Sequence, residues 1–188
     1  MISAILLAGG KSSRFGSDKR RICLDGESLP EKAARQLGAL CGEVIVAGDI
    51  SLPGCRRVRD GVPDQGPLAG ILAGLQAAKG ELCLIMACDM PFFPEAVARQ
   101  LLALAHTRQA AVPRDGEKLQ PLFAVVRRSA ALPAAQALLA EGARAVRGLY
   151  EVLDTAYLDR ADWADTGLAE PFFNINRPQD LERLQKML

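Results

Sequence analysis

The chemistry concentrates near the start of the chain, in Leu7-Ala8-Gly9-Gly10-Lys11-Ser12-Ser13-Arg14-Phe15-Gly16-Ser17-Asp18-Lys19. Adjacent glycines carry no Cβ, so the backbone can approach a ligand closely and turn its N–H groups onto phosphate oxygens. Arg14 and Lys19 add two long cationic side chains, which suits the charge of a triphosphate. The spacing is not that of a Walker A loop (G-x-x-x-x-G-K before Ser or Thr), nor the G-x-G-x-x-G of dinucleotide binding. A turn carrying solvated charges fits the same residues.

A second candidate is Asp89, at the end of the apolar run Leu82-Cys83-Leu84-Ile85-Met86-Ala87 and just before Met90-Pro91. In open α/β sheets ligands bind beyond the carboxyl ends of the strands. A carboxylate there can hold Mg²⁺, which takes oxygen ligands and shares them with substrate phosphates and water. An aspartate before a proline also fits a cap or turn.

Residues 60–70 read Asp-Gly-Val-Pro-Asp-Gln-Gly-Pro-Leu-Ala-Gly. Gly66 and Gly70 leave room for a base or ribose, while Pro67 equally suits the first turn of a helix. Asn174 and Asn176 flank Ile175, which puts both amides on one side of a short strand. They also fit capping ahead of a helix opening at Pro178. Gln120-Pro121 fits the start of an edge strand.

The elements that must position these residues follow from the apolar pattern. Short apolar runs at 2–8, 43–47, 56–59, 82–87, 110–113, 119–126 and 156–158 predict buried strands. Helical patterns cover 29–40, 68–78, 94–105, 130–139 and 178–188, with Val97, Leu101, Leu104 and Ala105 on one face of the third. The alternation predicts an α/β fold, a three-layer Rossmann-like arrangement around a mostly parallel sheet. A hairpin is expected around Arg114-Asp115-Gly116 in the more mixed second half. The length suits a single domain spanning 1–188.

Composition narrows the partners. Hydrophobic residues make up 49% and charged residues 24%, an ordinary globular balance rather than a disordered one. A net charge of +1 provides no basic field for a nucleic-acid partner. No apolar run approaches the roughly 20 residues that span a bilayer. The apolar N-terminus lacks the basic region of a signal peptide. Five cysteines with no C-x-x-C predict reduced, mostly buried thiols and a cytoplasmic location. The lone His106 falls near a helix end, as a surface residue. Trp163 has no functional reading.

Taken together, the blocks Leu7–Lys19, Asp60 with Gly66-Pro67-Leu68-Ala69-Gly70, Ala87-Cys88-Asp89-Met90-Pro91, Gln120-Pro121-Leu122-Phe123-Ala124 and Phe173-Asn174-Ile175-Asn176-Arg177-Pro178 resemble the molybdenum cofactor guanylyltransferases. These belong to the nucleotidyltransferases with a nucleotide-diphospho-sugar-transferase-like fold. The resemblance implies transfer of GMP from GTP to the phosphate of molybdopterin, with Mg²⁺ as cofactor. It implies a nucleotide site of Leu7, Ala8, Gly9, Gly10, Lys19, Asp60, Gly66, Pro67, Leu68 and Asp89. Asp89 would be the metal ligand, with Lys19 and Arg14 on the triphosphate. Gln120, Pro121, Asn174 and Asn176 would face the acceptor or support the active site. Transient contacts with other cofactor-biosynthesis or delivery proteins are expected on the same ground.

One departure lies at Ala47-Gly48-Asp49, where members of the family often carry an asparagine near Ala47. A related group that transfers CMP to molybdopterin shares the fold and the metal aspartate. Other small nucleotidyltransferases, and a nucleotide-binding adaptor without turnover, are the remaining alternatives. A phosphate acceptor is already ionised at neutral pH, so the reaction needs no histidine base or serine nucleophile; positioning and charge neutralisation suffice.

Overall fold

The computed structural model describes residues 1–9, 22–24, 26–59, 66–163, 168 and 170–187. Among the described residues ten strands and seven helices follow one another: β1 (Ile2–Ala8), β2 (Cys23–Leu24), β3 (Glu27–Ser28), α1 (Leu29–Leu40), β4 (Glu43–Gly48), β5 (Arg56–Val58), α2 (Pro67–Ala77), β6 (Leu82–Ala87), α3 (Glu95–Ala105), β7 (Ala110–Asp115), β8 (Lys118–Leu119), β9 (Phe123–Arg127), α4 (Arg128–Ala140), α5 (Arg147–Val152), β10 (Thr155–Asp159), α6 (Arg160–Trp163) and α7 (Pro178–Gln185).

The main sheet runs β10-β7-β9-β6-β1-β4-β5, with β8 paired to β7. Parallel ladders join β1 to β4 and β6, β4 to β5, and β10 to β7. Within this sheet β9 and the short β8 run against the rest. The expected hairpin forms at β7–β8, with Gly116 at φ 59°.

The central strands read as unbroken apolar runs because both faces are covered. On one face Ala4, Leu6 and Ala8 of β1 meet Ala33 and Leu37 of α1 and Val97 and Leu101 of α3. On the other, Ile5 and Leu7 meet Leu68, Ile71 and Leu75 of α2, with Ala131 of α4 and Leu149 and Tyr150 of α5. These are the three layers that the alternation predicts.

Two differences matter for the site. The single strand expected over 119–126 is broken: Gln120-Pro121-Leu122 forms a turn closed by the Phe123 amide donating to the Gln120 carbonyl at 3.1 Å. Proline has no N–H for the ladder, so pairing stops there. Asn174 and Asn176 lie in an extended segment outside any strand, rather than on the short strand expected. Buried Phe173 and Ile175 pin it against Leu29 of α1 and Leu184 of α7.

A candidate nucleotidyl-transfer site at the carboxyl edge of the sheet

Because β1, β4 and β6 are parallel neighbours, their C-terminal ends share one edge. The order β6-β1-β4 places β1 where the chain's progress across the sheet reverses, the position at which such sheets bind ligands. The Cys88 amide donates to the Leu7 carbonyl at 3.0 Å, setting the Asp89 turn beside the start of the glycine loop. The Ala87 amide donates to the Leu122 carbonyl at 3.0 Å, bringing the Gln120–Leu122 turn to the same edge. The Ile175 amide donates to the Asp89 carbonyl, also at 3.0 Å, and adds the asparagine segment.

A cleft of about 180 Å³ results, lined by Asp89, Met90, Gln120, Pro121, Leu122, Phe123, Asn174 and Asn176. Four residues read from the sequence as acceptor-facing thus share a wall with the metal candidate. Asp89, Gln120 and Asn174 are half-buried and Asn176 is exposed. Asn174 donates its Nδ2 to the Phe172 carbonyl at 3.0 Å, which leaves Oδ1 as its acceptor. The donors that the cleft offers a hard cation are the Asp89 carboxylate and amide oxygens. Among the described residues no cluster of three or more His, Cys, Asp or Glu forms a ready-made cage.

Phe123, in the cleft wall, belongs to an aromatic cluster. Phe123 packs against Phe93 and Phe172 with ring centroids 6.1 and 5.6 Å apart, and Trp163 meets Phe172 edge-on at 5.1 Å. Trp163 is therefore a core residue.

The nucleotide side is partly described. Gly10, Arg14, Lys19 and Asp60 lie outside the described residues. Leu7 and Leu68 are buried in the α2-side core and Ala8 in the α1-side core, so at these three positions a ligand would meet backbone rather than side chain. Gly9 is exposed at the end of β1. Gly48, at φ 151°, lies so close that a Cβ there would stand 2.5 Å from the Ala8 carbonyl carbon. The strand next to the loop thus ends in glycine because Ala8–Gly9 occupies the space. Gly66 opens α2 at φ 76°, with Pro67 in the first turn and the Arg144 carbonyl oxygen 3.0 Å from where a Cβ would be.

Two glycines of α2 set its approach to the sheet. A Cβ on Gly70 would meet Leu7 Cδ2 at 3.3 Å, and one on Gly74 would meet Ile5 Cγ2 at 2.5 Å. Both let α2 lie close over β1.

Sequence reasoning missed Asp180 and Tyr150. Asp180, in the first turn of α7, accepts from the Asn176 and Arg177 amides, each at 2.7 Å. An acid three residues past a helix start is the readable signal. Tyr150 donates its hydroxyl to the Pro121 carbonyl at 2.7 Å, a long-range contact with no local signature.

The thiols also need one correction. None of the five cysteines forms a disulfide, but only Cys41 and Cys83 are buried; Cys23 is exposed and Cys55 and Cys88 are intermediate. His106 is exposed at the end of α3. Among the described residues no helix is long and apolar enough to cross a membrane.

This fold, a mostly parallel sheet with a cleft at its carboxyl edge, is that of the nucleotidyltransferases. A MobA-like NTP transferase domain matches residues 4–157, and the chain belongs to that family. A probable molybdenum cofactor guanylyltransferase of Pelotomaculum thermopropionicum is 34% identical over 192 residues, covering 98% of this chain and 92% of the relative. The molybdenum cofactor guanylyltransferase of Burkholderia cenocepacia is 34% identical over 203 residues, covering 98% and 96%. The crystal structure of molybdopterin-guanine dinucleotide biosynthesis protein A from Archaeoglobus fulgidus superposes with a TM-score of 0.82 at 24% identity, over 99% of this chain and 97% of that one. It has the same fold.

Proposed function

We propose that this chain transfers GMP from GTP to the phosphate of molybdopterin in a Mg²⁺-dependent reaction, releasing pyrophosphate and forming the guanine dinucleotide cofactor. The observation that carries the reading is the cleft in which Asp89, at the end of β6, stands with Gln120, Asn174 and Asn176 beside the start of the glycine loop. Full-length relatives named as molybdenum cofactor guanylyltransferases support the choice of donor and acceptor.

In the reaction an oxygen of the acceptor phosphate attacks the α-phosphorus of GTP. The bond from that phosphorus to the bridging oxygen of the β-phosphate breaks, and pyrophosphate departs with the electron pair. Residues 1–188 act as one unit, the N-terminal part holding nucleotide and the C-terminal part facing the acceptor. Amides of Gly9 and Gly10, with Lys19 and Arg14, hold the triphosphate. Asp60 and the Gly66-Pro67-Leu68 turn bound the nucleoside. Gln120, Pro121, Asn174 and Asn176 orient the acceptor, so that attack is a matter of positioning.

Asp89, with amide oxygen from its asparagine neighbours, would hold Mg²⁺, a donor set that suits a cation sharing its shell with phosphates. The bound ion supplies neutralisation of charge on the α-phosphate and the leaving group. We place the reaction in the cytoplasm, with the product handed to neighbouring cofactor-delivery proteins.

Pyrophosphate release by purified protein with Mg²⁺ and molybdopterin, comparing GTP with CTP, tests the reading. Release with GTP and not CTP is expected. Preference for CTP would move the chain to the cytidylyl group, and nucleotide binding without release from either would make it an adaptor.

A further inference from the structure

Tyr150 is fully buried, on α5, in the core cluster on the α2 side of the sheet. Its ring packs there with Leu149 and Val146, yet its hydroxyl reaches out of that cluster to the Pro121 carbonyl at 2.7 Å. Pro121 belongs to the turn that lines the cleft with Gln120 and Leu122. That turn is tied at three further points. The Gln120 amide donates to Pro113 at 2.9 Å, the Phe123 amide to Gln120 at 3.1 Å, and the Ala87 amide to Leu122 at 3.0 Å.

The bonds on Gln120 and Leu122 hold the two shoulders of the turn. The Tyr150 bond alone, among the described residues, fixes the Pro121 carbonyl at its crest. Burial pushes the phenol far above its ordinary range, so Tyr150 stays a neutral donor wherever the protein is folded. Its own carbonyl accepts from the Thr155 hydroxyl at 2.8 Å, which anchors the end of α5 to the start of β10. The donor is therefore set by the sheet and by the core, not by the loop it holds.

We propose that Tyr150 is a positioning residue for the acceptor: through its hydroxyl it sets the height of the Gln120–Pro121 turn, and so the wall against which the acceptor lies in the Asp89 cleft. The inference rests on the guanylyl-transfer reading for the identity of the acceptor, and on geometry alone for the hold on the turn.

Tyr150→Phe keeps the ring and removes only the donor. Amide hydrogen exchange of the folded protein, without substrate, should show Phe123 and Ala87 losing protection while β1 and α1 keep theirs. In turnover with GTP and molybdopterin, the acceptor KM should rise roughly threefold to tenfold, the worth of one hydrogen bond. The Kd for GTP measured without acceptor should not change. Combined with Gln120→Ala, the two effects on acceptor KM should fall short of additive, since both act through one turn.

Unchanged exchange at Phe123 and Ala87, or an unchanged acceptor KM, would overturn the proposal. So would loss of GTP affinity in step with acceptor affinity, which marks general destabilisation. If Tyr150→Phe fails to fold, Gln120→Ala and Pro121→Ala in the wild-type background carry the test, because a turn without influence on acceptor KM leaves Tyr150 nothing to position. Absence of turnover by the wild-type chain would count against the guanylyl-transfer reading alone, and the exchange measurement would still decide whether Tyr150 holds the turn.

Discussion

The backbone amide of Ile175 donates to the carbonyl of Asp89 at 3.0 Å, joining the C-terminal asparagine segment to the turn that follows the central strand β6. Ile175 is buried between α1 and α7, so the bond is held from one side by packing and from the other by the sheet. It uses backbone only, which makes the Asp89 side chain replaceable without disturbing the join. Asp89→Asn is the matching substitution, equal in shape and lacking the charge. Mg²⁺-dependent pyrophosphate release should fall about a hundredfold or more, the cost of losing a charge-stabilising group at a reacting phosphate. The thermal melt should stay close to wild type. Activity retained at the wild-type level would remove Asp89 from the metal site.

How much of this was legible in the sequence depends on the range of the forces involved. The bounds of β1 and α1 were readable from the apolar pattern, and the structure adds a Ser28–Glu31 capping box at the start of α1. Asp89 was readable because an apolar run ended in a carboxylate. The break at Pro121 was not, since a run from 119 to 126 scores as one strand until the pairing partners are known. Helices α5 and α6 were missed because at six and four residues they are too short to repeat an apolar stripe over two turns. The packing of Gly74 against Ile5 was not legible, because a glycine that admits a neighbouring side chain and one that admits a ligand look alike in sequence.

Gly48 offers a test of the nucleotide side. Its φ of 151° and the 2.5 Å approach of Ala8 leave no space for a side chain. Gly48→Ala should cost about 1–3 kcal/mol of stability, the usual range for enforced backbone strain. Relief requires Ala8–Gly9 to move, so GTP affinity should fall as well. Gly54→Ala is the control: φ is +71°, but nothing lies within 4 Å of a Cβ there. It should lose some stability and keep GTP affinity. Urea denaturation and a GTP titration on both variants check this, and equal GTP affinity in Gly48→Ala would detach Gly48 from the loop.

Two thiols give the fold a pH signature. Burial raises Cys41 to about 11 and Cys83 to about 12 from an ordinary value of 9.0. Between those values the folded chain keeps protons that the unfolded chain has released. Stability from these groups is fully present below pH 9 and declines as pH rises toward the folded values. Urea midpoints measured below and above the ordinary thiol value should therefore drop more in wild type than in Cys41→Ala/Cys83→Ala. Native alkylation should label the exposed Cys23 first and reach Cys41 and Cys83 only on unfolding. Rapid labelling of Cys83 in the folded protein would contradict its burial beneath α2 and α4.

Asp180 tests the asparagine segment without touching the cleft. Its carboxylate accepts from the Asn176 and Arg177 amides, each at 2.7 Å, and so fixes the chain direction just after Asn174 and Ile175. Asp180 is absent from the residues that line the cleft, which separates holding the segment from touching a substrate. Asp180→Ala leaves both amides without that acceptor and should cost about 0.5–2 kcal/mol of stability, as loss of a helix cap does. Because Asn176 lines the cleft, the acceptor KM should also rise, whereas GTP affinity measured without acceptor should hold. Asp180→Asn retains an acceptor oxygen for the same amides and should recover much of both losses. Full stability and full acceptor affinity in Asp180→Ala would mean that packing of Phe173 and Ile175 places the segment by itself, and that the carboxylate adds nothing to it.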